Sequence, residues 1–320
     1  MADRSALKKG KKEMQRLFMP EGYTLTSEKN RKITASIQGL QEAATKQEIV
    51  EAIAVSCDTA HNLYVDLGAV KGIIPRLEGA VGIAEGSVRD IALISRVGKP
   101  ISFVIDGFST DSCGKRVAIL SRRKAQELCI NEYISNLRSG DIISARITHL
   151  ETFGAFCDIG CGCVALLPID AISVSRISHP KDRFSVGDDI KAVVKSIIGG
   201  KITLTLKELL GTWQQNADCF DVGETVTGII RSIEDYGVFV ELSPNLAGLA
   251  ELSNNVRVGQ KSCVYIKSIL PDKMKVKLII IDSFAPDGQR SPIKYFIQDG
   301  HIDYWKYSPE GCRKSVITQF

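Results

Sequence analysis

The sequence predicts an all-β protein built from three tandem five-stranded barrels, with short helical or extended joints between them. Three observations predict it. A short β-patterned motif occurs three times, glycines punctuate each copy at matching places, and each copy closes on a β-rich run. Five short strands in roughly 70 residues, with a longer irregular piece before the fourth, match the spacing of a small barrel such as the OB-fold. Closure leaves no sheet edge exposed, which favours a barrel in so short a unit.

The motif reads His61-Asn62-Leu63-Tyr64-Val65-Asp66-Leu67-Gly68 in the first copy. The second reads Phe153-Gly154-Ala155-Phe156-Cys157-Asp158-Ile159-Gly160, and the third Tyr236-Gly237-Val238-Phe239-Val240-Glu241-Leu242. Strand side chains alternate faces with period two. Tyr64, Phe156 and Phe239 therefore share a face with Asp66, Asp158 and Glu241, while Leu63, Val65, Cys157, Ile159, Val238 and Val240 form the opposite, core face. The alternation places both the aromatic and the acid on the wet face. A ring repeated at one wet-face position is a stacking platform. Phe153 and Tyr236 lie three residues before the strand aromatic, which strict alternation would put on the other face. Gly154 permits a turn or bulge that brings both rings to one groove.

Taken in order, residues 1–40 hold nine Lys/Arg against four Asp/Glu and predict a basic, partly helical arm. Residues 41–125 form a worn first barrel, ending in Arg116-Val117-Ala118-Ile119-Leu120. Residues 137–209 form the second, opened by Gly140 and closed by Lys201-Ile202-Thr203-Leu204-Thr205-Leu206. Residues 221–285 form the third, with Gly223, Gly259 and Lys275-Val276-Lys277-Leu278-Ile279-Ile280. One offset relates Gly140 to Gly223 and Phe156 to Phe239, the mark of a repeat. Segments 121–137 and 207–220 read as helical or linker joints. Residues 286–320 read as a β-hairpin extension: Tyr295-Phe296-Ile297, a turn at Asp299-Gly300, then Ile302-Asp303-Tyr304-Trp305. The expectation is that it caps the last barrel.

The second copy resembles the S1 RNA-binding domain from Gly140 to Lys207, through the motif above, Leu166-Leu167-Pro168, His179-Pro180, Val186-Gly187-Asp188 and Leu204-Thr205-Leu206-Lys207. The third matches at Gly228, Tyr236 to Phe239, Gly248-Leu249-Ala250-Glu251-Leu252-Ser253 and Val258-Gly259. The first matches through Val65-Asp66-Leu67-Gly68, Gly72-Ile73-Ile74-Pro75 and Leu120-Ser121-Arg122-Arg123. The chain as a whole is similar to bacterial ribosomal S1-like proteins. This resemblance implies tandem OB-fold barrels with single-stranded RNA across the face made by the second and third strands. It implies stacking by Phe153, Phe156, Tyr236 and Phe239, and in the first copy by Tyr64 with His61 beside it. The closing hairpin of the family offers an Arg, where Arg116, Lys201 and Lys275 stand here. Lys keeps the charge and loses the bidentate fork. Pro75, Pro168 and Glu251 occupy a place where the family often has His. Arg176, Lys181 and Arg183, in the irregular excursion of the second copy, are further candidates for phosphate contact.

Net charge is +4 and sits in the N-terminal segment, so RNA binding by the near-neutral repeats cannot rest on bulk charge. No apolar run approaches the about 18 residues of a membrane span. The charged start lacks the apolar stretch of an export signal. Nine cysteines without a disulfide framework read as reduced thiols in a cytoplasm. Cys157, Cys161 and Cys163 lack a fourth ligand at zinc-site spacing, so no metal or other cofactor is expected. No nucleophile–base pair or phosphate loop appears, so no enzyme is expected. Two functions stand. One is sequence-tolerant binding of single-stranded mRNA in translation at or near the small ribosomal subunit. The other is a protein-docking scaffold or ribosome-associated regulator with incidental RNA contact. The partner expected of the first repeat is the small subunit or another protein.

Overall fold

Period-two alternation becomes three closed barrels of one topology. The first is β1 (Val50–Cys57), β2 (Leu63–Asp66), β3 (Lys71–Ile74), β4 (Pro100–Thr110) and β5 (Arg116–Ser121). The second is β6 (Ile142–Glu151), β7 (Gly154–Asp158), β8 (Val164–Pro168), β9 (Asp189–Ile198) and β10 (Lys201–Thr205). The third is β11 (Thr225–Glu234), β12 (Gly237–Ser243), β13 (Leu246–Ala250), β14 (Lys261–Leu270) and β15 (Lys275–Phe284). In each, the first three strands pair in sequence, the third meets the fifth in parallel, and the fourth closes between fifth and first. The computed structural model describes residues 15–111, 113–253, 256–285 and 292–320. Contacts group the chain into two units. One is Met1–Leu137 with Ser144–Arg146 and Asp158–Val164; the other is Arg138–Ile143, Ile147–Cys157 and Ala165–Phe320.

In the first unit Leu63, Val65, Leu67, Ile74, Phe103 and Leu120 fill the barrel, joined by Leu40 and Ala43. Those two come from the helix Ile37–Lys46, whose N-cap Ser36 accepts from Gly39 N–H and whose chain turns left-handed at Gln47. A shorter helix, Glu28–Thr34, is capped by Ser27. The segment expected as a basic, partly helical arm over residues 1–40 is helical in part, and from Phe18 onward it packs on the protein instead of standing free as an arm. Phe18, Glu21, Asn30 and Leu40 are buried, because the segment carries apolar and capping residues that the barrel rim can cover. Residues 1–14, with much of the positive charge, lie outside the described residues.

The expectation of a wet-face acid holds for Asp66, which is exposed, and is corrected for Asp158 and Glu241, which are buried. Asp158 is 2% exposed. Its Oδ2 accepts from Glu21 N–H at 2.7 Å, and its Oδ1 accepts from Gly160 and Gly162 N–H at 2.8 and 3.0 Å. Glu21 is held by Arg122 at 2.7 Å and Arg96 at 3.2 Å. Burial, then the Glu21 charge, pushes Asp158 up to about 7, against the pull of the backbone amides and Arg122. The folded state therefore keeps a proton that an unfolded Asp has already released. This contribution is complete below the ordinary value of 3.8 and is lost as pH rises through about 7. Urea denaturation across that window is expected to show wild type losing stability relative to Asp158→Asn. Parallel curves would mean the carboxylate is ionised throughout.

In the second unit the tail differs from the expected hairpin. Residues 295–297 form no strand. Phe296 N–H donates to Leu209 O, Lys191 N–H donates to the Tyr295 hydroxyl, and Ile142 and Gly140 exchange backbone hydrogen bonds with Gly300 and Ile302. The two-stranded sheet is instead β16 (Tyr304–Lys306) with β17 (Ile317–Gln319). The turn at Asp299-Gly300 exists, but its flanks find partners on the second barrel and its joint rather than on each other. Among the described residues no helix is long and apolar enough to cross a membrane.

Candidate nucleic-acid interface

Two ring pairs stand at equivalent places. Phe153 lies in the turn before β7 and Phe156 within it; their centroids are 6.0 Å apart and their planes 88° apart. Tyr236 and Phe239 repeat this at 6.1 Å and 90°. Phe153 is 54% exposed and Tyr236 70%, so each pair presents one open ring braced by a half-buried one. The glycine between them is required by close approach. A Cβ on Gly154 would stand 2.5 Å from Leu167 O, and one on Gly237 2.5 Å from Ala250 O. The hairpin is pulled tight enough there to tip Phe153 and Tyr236 onto the face of the strand ring.

Strand register extends the third site sideways. Ser232, Phe239, Leu249 and Lys277 are successive partners across β11, β12, β13 and β15. Cross-strand partners share a face, so exposed Lys277 belongs to the row of Phe239. Lys275, Lys201 and Arg116 each begin the fifth strand of their barrel and are exposed. Arg116 lies over its own Phe108 ring at 4.4 Å. Arg176 and Lys181 are exposed in the excursion of the second copy. Arg183 is not available to phosphate. Its side chain is 6% exposed and paired with Glu241. Its expected role is corrected accordingly: a carboxylate distant in sequence claims the guanidinium.

The first barrel is poorer. Tyr64 is half-buried, and its hydroxyl donates to Asp58 Oδ2 at 3.1 Å. His61 sits in a left-handed turn, 3.9 Å from Asp90, which Arg76 holds at 2.7 Å. Among the described residues no second ring pairs with Tyr64 as Phe153 pairs with Phe156.

The S1 RNA binding domain family matches residues 136–202. The chain is 33% identical over 228 residues to small ribosomal subunit protein bS1 of Leuconostoc lactis, covering 68% of this chain and 50% of that protein. It is 28% identical over 239 residues to the bS1 protein of Staphylococcus aureus strain COL, covering 72% and 58%. The chain is similar to the bacterial S1 proteins over about two thirds of its own length. It spans about half the length of the curated relatives it matches. Among solved structures, a Streptococcus pneumoniae multidomain protein with nucleic acid binding domains covers 74% of each chain at 13% identity and a TM-score of 0.25, too loose to carry weight.

Two residues of this S1-like chain join the site without having been singled out by sequence. His149 stacks on Phe156 at 6.4 Å and 28° and is largely exposed. In the third barrel the equivalent Ser232 faces Phe239 because a bulge falls between Ile230 and Ser232. An extra residue reverses alternation beyond it, so parity counted from Ile147 points His149 inward. Lys277 was legible, since Val276 and Leu278 alternate with it into the core. Among the described residues no group of His, Cys, Asp or Glu is placed to hold a metal ion.

Proposed function

We propose that this chain binds single-stranded RNA with little sequence preference, by stacking bases on Phe153/Phe156 and Tyr236/Phe239, and that it does so in translation at or near the small ribosomal subunit. The observation that carries this reading is the duplicated ring pair, open on one side and built to the same geometry in two barrels. A π-face accepts any base, which makes such sites tolerant of sequence. His149 extends the second barrel's platform. Lys201, Lys275, Lys277, Arg176 and Lys181 supply sparse phosphate contacts. Tyr64, His61 and Arg116 are the corresponding set of the first barrel, with a weaker share. The S1 family match and the bS1 names of the relatives support the choice of RNA and of the ribosome.

Salt dependence tests it. With up to five phosphate contacts, the logarithm of affinity falls against the logarithm of salt with a slope no steeper than about −3.5 for a single strand. Lys275→Gln with Lys277→Gln is expected to flatten that slope by about 1, read by fluorescence anisotropy of a mixed-sequence RNA. A much steeper slope, insensitive to these lysines, would move binding to the basic N-terminal residues. A protein-docking role has its own support: Ile53, Val55, Ile91, Ile94 and Val97 are exposed on the first unit. Absence of any RNA binding would make that surface the working interface.

A further inference from the structure

The acid that recurs beside each strand aromatic does not serve the platform in the third barrel. Glu241 lies on the outer face of β12, two residues from Phe239, yet it is 5% exposed. It is covered by Arg183, which reaches over from the excursion of the second barrel, and by Arg231 of its own β11 at 2.8 Å. Arg231 also faces Asp182 at 3.7 Å. Two cations and two anions thus close a nearly dry, charge-balanced latch. Ion pairs so buried are sensitive to geometry, and in some systems they specify one arrangement rather than add stability.

The turn from β12 to β13 supplies a second fastening. Asn245 is 0% exposed. Its Oδ1 accepts from Val174 N–H at 3.0 Å, and its Nδ2 donates to Lys207 O at 2.7 Å and Gly211 O at 2.8 Å. Ser175 N–H donates to Pro244 O. The tail then straps the joint. The Tyr307 hydroxyl donates to Asn245 O at 2.5 Å, Trp213 N–H donates to Tyr307 O, and Thr318 donates to Glu208 at 2.8 Å. One buried asparagine therefore touches the second barrel's excursion, the joint and the tail. Linked domains move against each other by default. Here most of the groups that would have to part are buried polar atoms, and leaving one unpaired costs its full desolvation penalty.

We infer that the second and third barrels form one rigid double platform, and that Arg183, Asn245 and Tyr307 are positioning residues that preset the separation of the two ring pairs. The inference rests on the RNA reading above. A strand long enough to reach both pairs meets them already arranged, so the second contact forms at high effective concentration. A strand that reaches one pair gains nothing from the latch.

The test uses the full chain and the variants Arg183→Met and Tyr307→Phe. Arg183→Met leaves Glu241 paired with Arg231, and Tyr307→Phe removes only a hydroxyl, so one survives if the other misfolds. Residual dipolar couplings from the two barrels are expected to fit a single alignment tensor in wild type and to need two in a variant. RNA of about six nucleotides is expected to bind wild type and variants alike, whereas RNA of about 20 nucleotides should lose about tenfold or more in the variants. Two tensors in wild type would overturn the rigid platform, and a single tensor in both variants would overturn the role given to Arg183 and Tyr307 in holding it. Separate tensors with unchanged long-RNA affinity would overturn the positioning role. If wild type binds neither RNA, the RNA reading fails and the positioning role falls with it, while the tensors still decide whether the barrels are one body.

Discussion

Phe156→Ala combined with Phe239→Ala is expected to weaken binding of single-stranded RNA by about a hundredfold, and each change alone by about tenfold, since a stacked base contributes roughly 1–3 kcal/mol. The rings are half-buried on the outer faces of β7 and β12, so the barrel interiors built on Ala155, Cys157, Val238 and Val240 stay filled. Thermal unfolding should change little beside the change in affinity. The measurement is anisotropy titration of a mixed-sequence RNA with wild type, both single variants and the double. Near-additive losses in the logarithm of affinity would mean that the platforms bind separate bases. Unchanged RNA affinity in the double variant, with loss of a protein contact, would leave docking as the function.

Arg122→Ala is expected to cost the first unit about 3–5 kcal/mol, the effect of removing one partner from a buried ion pair. Arg122 donates to both Glu21 oxygens at 2.7 and 3.1 Å, and to Gly79 O at 3.2 Å. Without it Glu21 keeps only Arg96 as a cation, beside a second buried carboxyl, Asp158. Hydrogen exchange read by mass spectrometry should show lost protection over residues 18–22, 122–137 and 158–164. Tryptophan fluorescence is the wrong probe, because Trp213 and Trp305 both belong to the second unit. A loss under about 1 kcal/mol would place the pair with solvent-exposed salt bridges, contrary to its burial.

What sequence alone determined is the barrel and its repeat. Period-two alternation of Leu63/Val65/Leu67 and Val238/Val240 depends only on local geometry, and it survives wherever a strand has one dry face. The same rule placed Tyr64, Phe156 and Phe239 outward, and it would have added Lys277. Tertiary structure alone decided the rest, because each remaining feature depends on a partner far along the chain. Arg183 meets Glu241 across 58 residues and Arg122 meets Glu21 across 101, so neither an exposed phosphate ligand nor a wet-face acid could be told from a latch by spacing. His149 stands outward against Phe156, although parity counted from the buried Ile147 would point it inward. The tail abandoned its own hairpin for Leu209, Lys191 and Asn245, because a buried backbone group takes whichever partner the fold brings to it.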